Sequence, residues 1–235
     1  MKITWIGQGG YLVESEGRQL VLDPYLSDSV TKKFGLRRLA PPAVDAKDLK
    51  PDVIFITHDH LDHFDPDTLQ PMMSQSAAQL LGPQSVITHG RQMGFDDKRL
   101  TIVKIGEPVH VAGFIFTPTP AMHSDPYSVG LLLGTDGKRI YFSGDTLYDA
   151  ELVEKVCALT GDRLDAAFVC MNGQLNNMNS KEAARFAARL RPAMTIPMHY
   201  GMFEENTADP GDFVNDCRKL GICASVLETG GSIEI

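Results

Sequence analysis

Six residues, His58-Asp59-His60-Leu61-Asp62-His63, constrain this chain more than any other stretch. Three imidazoles and two carboxylates in so short a run are costly to bury, because each polar group needs a partner. A metal ion meets that need: neutral imidazole and carboxylate are ligands of zinc and its first-row neighbours. The preceding Asp52-Val53-Ile54-Phe55-Ile56 is apolar and β-branched, which predicts a buried strand. Asp65-Pro66 predicts a helix start, with Asp65 as the cap and Pro66 in the first position. The histidines therefore sit on a turn at a strand end, where several side chains can converge. This is the first half of a metal centre.

The other half lies far along the chain. His123 follows the predicted strand Val109 to Thr117, Asp145 follows Arg139 to Phe142 at a glycine turn, and His199 follows Met194 to Pro197. If these strands lie side by side, two adjacent sites form: His58, His60 and His123 for one ion, Asp62, His63 and His199 for the other. Asp145 would bridge both through its two oxygens. Two cations roughly 3.5–4 Å apart can share a hydroxide. His89 and His110 lack such a setting and are read as non-ligands. Asp23 is read as a partner that orients a ligand histidine. Asn172, Asn176, Asn177 and Asn179 form a polar run that turn chemistry also explains; Asn172, Asn177 and Tyr200 are taken as candidate substrate contacts.

The rest of the chain reads as many strands with helices between them. Lys2 to Ile6, Tyr11 to Glu14 and Gln19 to Leu22 are short strands joined at Gly7-Gln8-Gly9-Gly10 and Glu16-Gly17. Residues 25 to 44 have no period and are predicted as a long loop. Asp67 to Ser76, Asp149 to Leu159 and Ser180 to Leu190 have helical spacing, with Ser180 as an N-cap. Strands are expected at Ser85 to Thr88, Leu100 to Lys104, Ser128 to Leu133, Ala166 to Cys170 and Ala224 to Leu227. With no linker or repeat, residues 1–235 read as one domain. The net charge of -8 argues against nucleic-acid binding. No apolar run reaches the length of a membrane span, and the start lacks the apolar stretch of a signal peptide. Four cysteines without paired spacing suggest free thiols in a reducing cytoplasm. The oligomeric state is left open, a homo-oligomer included.

His58-x-His60-x-Asp62-His63 followed by His123, Asp145 and His199 resembles the metallo-β-lactamase superfamily, with Asp23 at the place of its first acid. Finer features are similar to the branch containing L-ascorbate-6-phosphate lactonase. These are Trp5-Ile6-Gly7, Ser143-Gly144-Asp145, Ile196-Pro197-Met198-His199-Tyr200 and the ending Gly230-Gly231-Ser232-Ile233. The resemblance implies an α/β fold of four layers, αββα, with two mixed sheets face to face and metals at one edge. It implies a metal-dependent hydrolase with two divalent ions, zinc or manganese, and a metal-bound hydroxide as nucleophile. Asp62 would hold the nucleophile and relay a proton. The expected substrate is a small molecule, an anionic or phosphorylated lactone or ester. A phosphodiesterase on the same dinuclear site is the alternative, and a non-catalytic metal-binding protein the second. Lys32, Lys33, Arg37 and Arg38 suggest that residues 25 to 44 form a lid, with Arg37 and Arg38 gripping an anionic substrate.

Overall fold

Hairpin chemistry builds the first three strands of the computed structural model, which describes all 235 residues. Lys2–Gly7 (β1), Gly10–Ser15 (β2) and Arg18–Leu22 (β3) pair antiparallel. Glu16 and Gly17 join the last two with φ of 49° and 75°, the two positive angles of a type I′ turn. Inside the predicted long loop, Ser29–Phe34 (α1) is a short helix ended by Gly35. Val53–Phe55 (β4), Pro66–Gln75 (α2), Gln79–Gly82 (β5), Gln84–Gln92 (α3) and Leu100–Ile102 (β6) then alternate as parallel strand–helix–strand units. The motif histidines fall between β4 and α2, and the Asp65 side chain accepts the Asp67 N–H as expected of the cap.

The second half repeats the plan. Val109–Val111 (β7), Phe114–Pro120 (β8), Val129–Thr135 (β9) and Lys138–Phe142 (β10) are antiparallel. Ala150–Thr160 (α4), Ala166–Cys170 (β11), Ser180–Leu190 (α5) and Met194–Met198 (β12) continue in parallel. Pro210–Lys219 (α6) and Ser232–Glu234 (β13) complete the chain. One sheet runs β13-β1-β2-β3-β4-β5-β6 and the other β12-β11-β10-β9-β8-β7.

Their inner faces meet in one apolar cluster, where Phe55 stacks on Phe116 at 5.6 Å and Tyr11 meets Phe168 edge-on at 4.7 Å. The outer face of the first sheet (Ile6, Val21, Ile54, Ile56, Leu80) is covered by Leu69, Met72 and Met73 of α2 and by Val86 and Ile87 of α3. On the other side Tyr141 stacks on Phe186 of α5. The result is four layers, α/β/β/α, with both sheets mixed.

The structure departs from the sequence expectations at several elements. Ser85–Thr88 lies in α3 rather than in a strand, and β5 just before it was missed. A β-branched run favours extended backbone locally, yet Val86 and Ile87 bury fully from the helix, and tertiary burial overrides propensity. Val109 to Thr117 is two strands, split by Ala112-Gly113 at φ of 50° and 82°. Ala224 to Leu227 makes only one bridge, to Thr195, and α6 and β13 were not anticipated. The cap of α5 is Asn179, not Ser180: the Asn179 side chain accepts the N–H groups of Lys181 and Glu182, and Glu182 reaches back to the Asn179 N–H. Asn179→Ala is expected to cost about 1 kcal/mol, read as a lower denaturant midpoint at unchanged slope.

Candidate metal centre

Every candidate ligand sits just past the C-terminal end of a strand. His58 to His63 follow β4, His123 follows β8, Asp145 follows β10 and His199 follows β12. The sheets bring these ends together. His60 Nδ1 lies 3.0 Å from His58 Nε2 and 3.1 Å from His123 Nε2. Asp62 Oδ2 lies 3.7 Å from His63 Nε2 and 3.3 Å from His199 Nε2. Asp145 stands between the groups, with Oδ1 3.4 Å from His63 Nε2 and Oδ2 3.1 Å from His199 Nε2 and 3.7 Å from His123 Nε2.

Ligands about 2.0–2.1 Å from a tetrahedral ion stand roughly 3.3 Å apart, and both groups approach that spacing. His63 Nε2 and Asp145 Oδ1 are buried without a hydrogen-bond partner. Such orphaned atoms are costly unless an ion satisfies them, so the donor set fits divalent metal.

Hydrogen bonds fix which nitrogen His58, His63 and His123 present. Asp23 accepts both the backbone N–H and the hydroxyl of Thr57, at 2.7 and 2.6 Å. With its proton committed there, the Thr57 hydroxyl oxygen accepts from His58 Nδ1, 3.0 Å away. Asp23 Oδ2 also accepts from His63 Nδ1 at 2.9 Å. Both rings are thus left with Nε2 toward the centre. His123 Nδ1 donates to the Asn176 carbonyl at 3.1 Å, and the Asn177 amide donates to Asp145 Oδ2 at 2.8 Å. Gln8, Asp23, Leu175, Asn176 and His199 all hold positive φ, so local strain gathers around this centre. Gly9 has no room for a side chain: a Cβ there would lie 2.7 Å from His63 Cε1.

Electrostatics divides the metal-free groups. Burial, aided by His63, pushes His58 well below the usual histidine range, and burial also lowers His123. Burial opposes charge on His199 and His63 too, but neighbouring carboxylates outweigh it, Asp145 foremost. His199 is raised to about 9, and His63 lies well above its usual value. Burial would raise Asp62 and Asp145, yet the facing His63 and His199 hold both below the carboxylate range.

A cleft of about 220 Å³ opens over the centre. Beside His60, Asp62, His123, Asp145 and His199, its walls are Ser124, Leu175, Asn176 and Asn206. None of the five predicted substrate contacts lines it. Asn172 is buried and donates to Asn206 Oδ1 at 2.7 Å, and Asn177 is spent on Asp145. The Tyr200 hydroxyl donates to the Leu227 carbonyl while its ring packs on Trp5 at 4.6 Å. Arg37 pairs with Glu204, and Arg38 donates to the carbonyls of Ser27 and Ala40 with its guanidinium over the Tyr25 ring. Residues 25 to 44 are stitched to the loop after His199, Leu39 N–H to Met202 O and Glu204 N–H to Arg37 O. They are therefore not the cationic lid expected. His89 hydrogen-bonds Asp59 and stacks on Phe64, and His110 is exposed.

The sequence reading missed Gln8, Thr57, Ser124, Leu175 and Asn206. Only Gln8 carried a signal, a polar side chain among three glycines.

Residues 18–200 match the family model described as a beta-lactamase superfamily domain. The chain belongs to the metallo-β-lactamase superfamily. Within it, a UPF0173 protein of Pyrococcus furiosus is 30% identical, over 97% of this chain and 96% of its own. A UPF0173 metal-dependent hydrolase of Methanopyrus kandleri is 28% identical over the full length of both chains. The structure of Igni18, a metallo hydrolase from Ignicoccus hospitalis, superposes with a TM-score of 0.78 at 26% identity, covering 100% of this chain and 98% of that one. The chain is a metal-dependent hydrolase of that superfamily. No helix is long and apolar enough to cross a membrane.

Proposed function

We propose that the centre holds two divalent ions, zinc or manganese, and hydrolyses a small ester or lactone. The observation that carries this reading is the pair of ligand groups sharing Asp145 at the floor of an open cleft. Bound there, the ions would supply hydroxide at neutral pH and polarise the scissile group.

The protein's own residues do the rest. Asp62 borders the cleft and keeps 19% of its side chain exposed, so it can accept a proton from the attacking water and return it to the leaving oxygen. Asn206 has its oxygen held by Asn172, which leaves its amide nitrogen as a donor on the cleft wall for the developing oxyanion. Leu175, 67% exposed at the rim, offers an apolar surface to the substrate.

The cleft wall has no lysine or arginine, so the charge of an anionic substrate would be met by the ions rather than by side chains. The lactone reading draws on the motif resemblance, and the openness of the cleft favours catalysis over mere metal storage.

A metal-reconstituted screen of matched neutral and anionic esters, lactones and phosphodiesters tests the proposal. Lactones and carboxylic esters should lead phosphodiesters in kcat/KM by more than about tenfold, a difference of about 1.4 kcal/mol. Faster turnover of a phosphodiester would overturn it. Arg37→Ala and Arg38→Ala should leave KM for neutral and anionic partners in the same ratio as the parent enzyme, since neither side chain lines the cleft.

A further inference from the structure

Gln8 is wholly buried beside the second ligand group. Its backbone is fixed at φ 51°, with its carbonyl accepting the Trp5 indole N–H at 2.9 Å and the His199 N–H at 3.2 Å. A left-handed conformation is costly for a residue with a side chain, and glycines stand on both sides at positions 7 and 9. The side chain must therefore have a use. Its inward amide atom lies 2.7 Å from Asp62 Oδ2 and 3.0 Å from His199 Nε2. The outer atom, Oε1, is enclosed without any partner.

The two ends of an amide have the same shape and are assigned by their contacts. With nitrogen inward, Gln8 donates to Asp62 and leaves its carbonyl oxygen orphaned. With oxygen inward, the amide nitrogen takes that partnerless outer place instead, and the oxygen faces the Asp62 carboxylate at a distance that only an intervening cation makes favourable. The inward position is also close to ligand-to-ligand spacing from two of the three members of this group.

We propose that Gln8 is a further protein ligand to the ion held by Asp62, His63, His199 and the shared Asp145, bound through its side-chain carbonyl oxygen. The proposal rests on the dinuclear reading above. An amide oxygen is a hard, neutral ligand that adds to the site without adding charge. With Asp145 shared between the groups, the second site would have five protein ligands and the His58, His60 and His123 site four. The ion with fewer protein ligands keeps more room for water or substrate. The two ions would then be held unequally, although residues of both groups border the cleft.

Two substitutions test this, with zinc and cobalt(II) as the probes. The readouts are metal stoichiometry by mass spectrometry, affinity by chelator competition, and the cobalt d–d spectrum. Gln8→Leu should weaken one of the two ions by at least about 10–100-fold, the loss typical even of groups that only support a ligand, and leave the other unchanged. Gln8→Glu should keep both ions and shift the cobalt bands, because a carboxylate can ligate but cannot donate to Asp62.

Gln8→Leu with two ions at parental affinity would overturn the proposal. So would Gln8→Glu losing an ion as Gln8→Leu does, which would make Gln8 a hydrogen-bond donor to Asp62 instead. Should Gln8→Leu not fold, the spectrum of Gln8→Glu decides: bands coinciding with those of the parent protein refute a ligand role. Parent protein that takes up fewer than two ions refutes the dinuclear reading itself, and the Gln8 assignment with it. That failure is visible before any substitution is made.

Discussion

Asp62→Asn is expected to lower kcat by about 10²–10⁴-fold, the range for losing a positioned acid or base, on whatever substrate the screen identifies. The expectation follows from the two faces of Asp62. One oxygen lies among His63, His199 and Gln8, and the side chain also borders the cleft. Asparagine preserves the shape, but its amide is a poorer ligand and no base. Metal content has to be measured on the same sample. A loss of turnover at full metal occupancy isolates the proton relay, whereas a matching loss of one ion assigns the effect to ligation. Asp62→Ala should be worse on both counts. The fold should survive either change, because the apolar core lies between the sheets and the site sits past the strand ends. A well-folded, metal-replete Asp62→Asn enzyme with near-normal turnover would remove Asp62 from the chemistry.

The second large effect is on metal uptake. In the metal-free protein His199 is raised to about 9 from its ordinary 6.5, and His63 is raised as well. Imidazole binds metal only when neutral, so each ion entering the second group must displace protons that are still present at neutral pH. Affinity should therefore climb about tenfold per pH unit for each proton displaced, from near pH 6.5 up to about 9. Calorimetric titration in buffers of different ionisation heat should show at least about one proton released per protein at pH 7–8.

The metal-free fold responds with the opposite sign. Charged His199 paired with Asp145 and Asp62 gives a stabilisation that is complete below pH 6.5 and lost as pH rises through about 9. The carboxylates act at the other end: their pKa values are depressed, so their contribution stands above the ordinary 3.8 and fades only at stronger acidity. Chelator-treated protein should thus show a falling thermal midpoint from neutral pH to about 9, and the metal-loaded form a flat one. Uptake that is independent of pH in this window would mean that His199 enters the site already neutral.

The convergence of the seven candidate ligands was legible in the sequence because such residues are rare types placed at strand ends, and each strand could be read from its own apolar run. The hairpin at Glu16-Gly17 and the cap at Asp65 were legible for a similar reason, since local chemistry decides them. What escaped was decided by residues far away. Val86-Ile87-Thr88 looks extended until the outer face of the first sheet, which its helix covers, is in place. Arg37 and Arg38 look like free cations until Glu204 and the ring of Tyr25 are seen to occupy them. Asn172 and Asn177 look available until Asn206 and Asp145 are placed beside them. Gln8 is the sharpest case: its partners are 54 and 191 residues distant along the chain. Charge and polarity can be read from sequence, but whether a polar group is already satisfied depends on the fold.

The loop from Gly173 to Asn179 carries a constraint on how such an enzyme can diversify. Its own hydrogen bonds, Gly173 N–H to Met178 O and Asn177 N–H to Gln174 O, keep it tightly wound. From it the Asn176 carbonyl steadies His123, the Asn177 amide steadies Asp145, and Leu175 reaches the mouth of the cleft. A lineage adapting to a new substrate can exchange the side chain at position 175 within the limits set by its positive φ, since it points into solvent and supports nothing. Lengthening or shortening the loop would instead detune two ligands at once. Selection on substrate range is therefore channelled into side-chain replacement at the rim, and the backbone beneath it is held fixed by its bonds to His123 and Asp145.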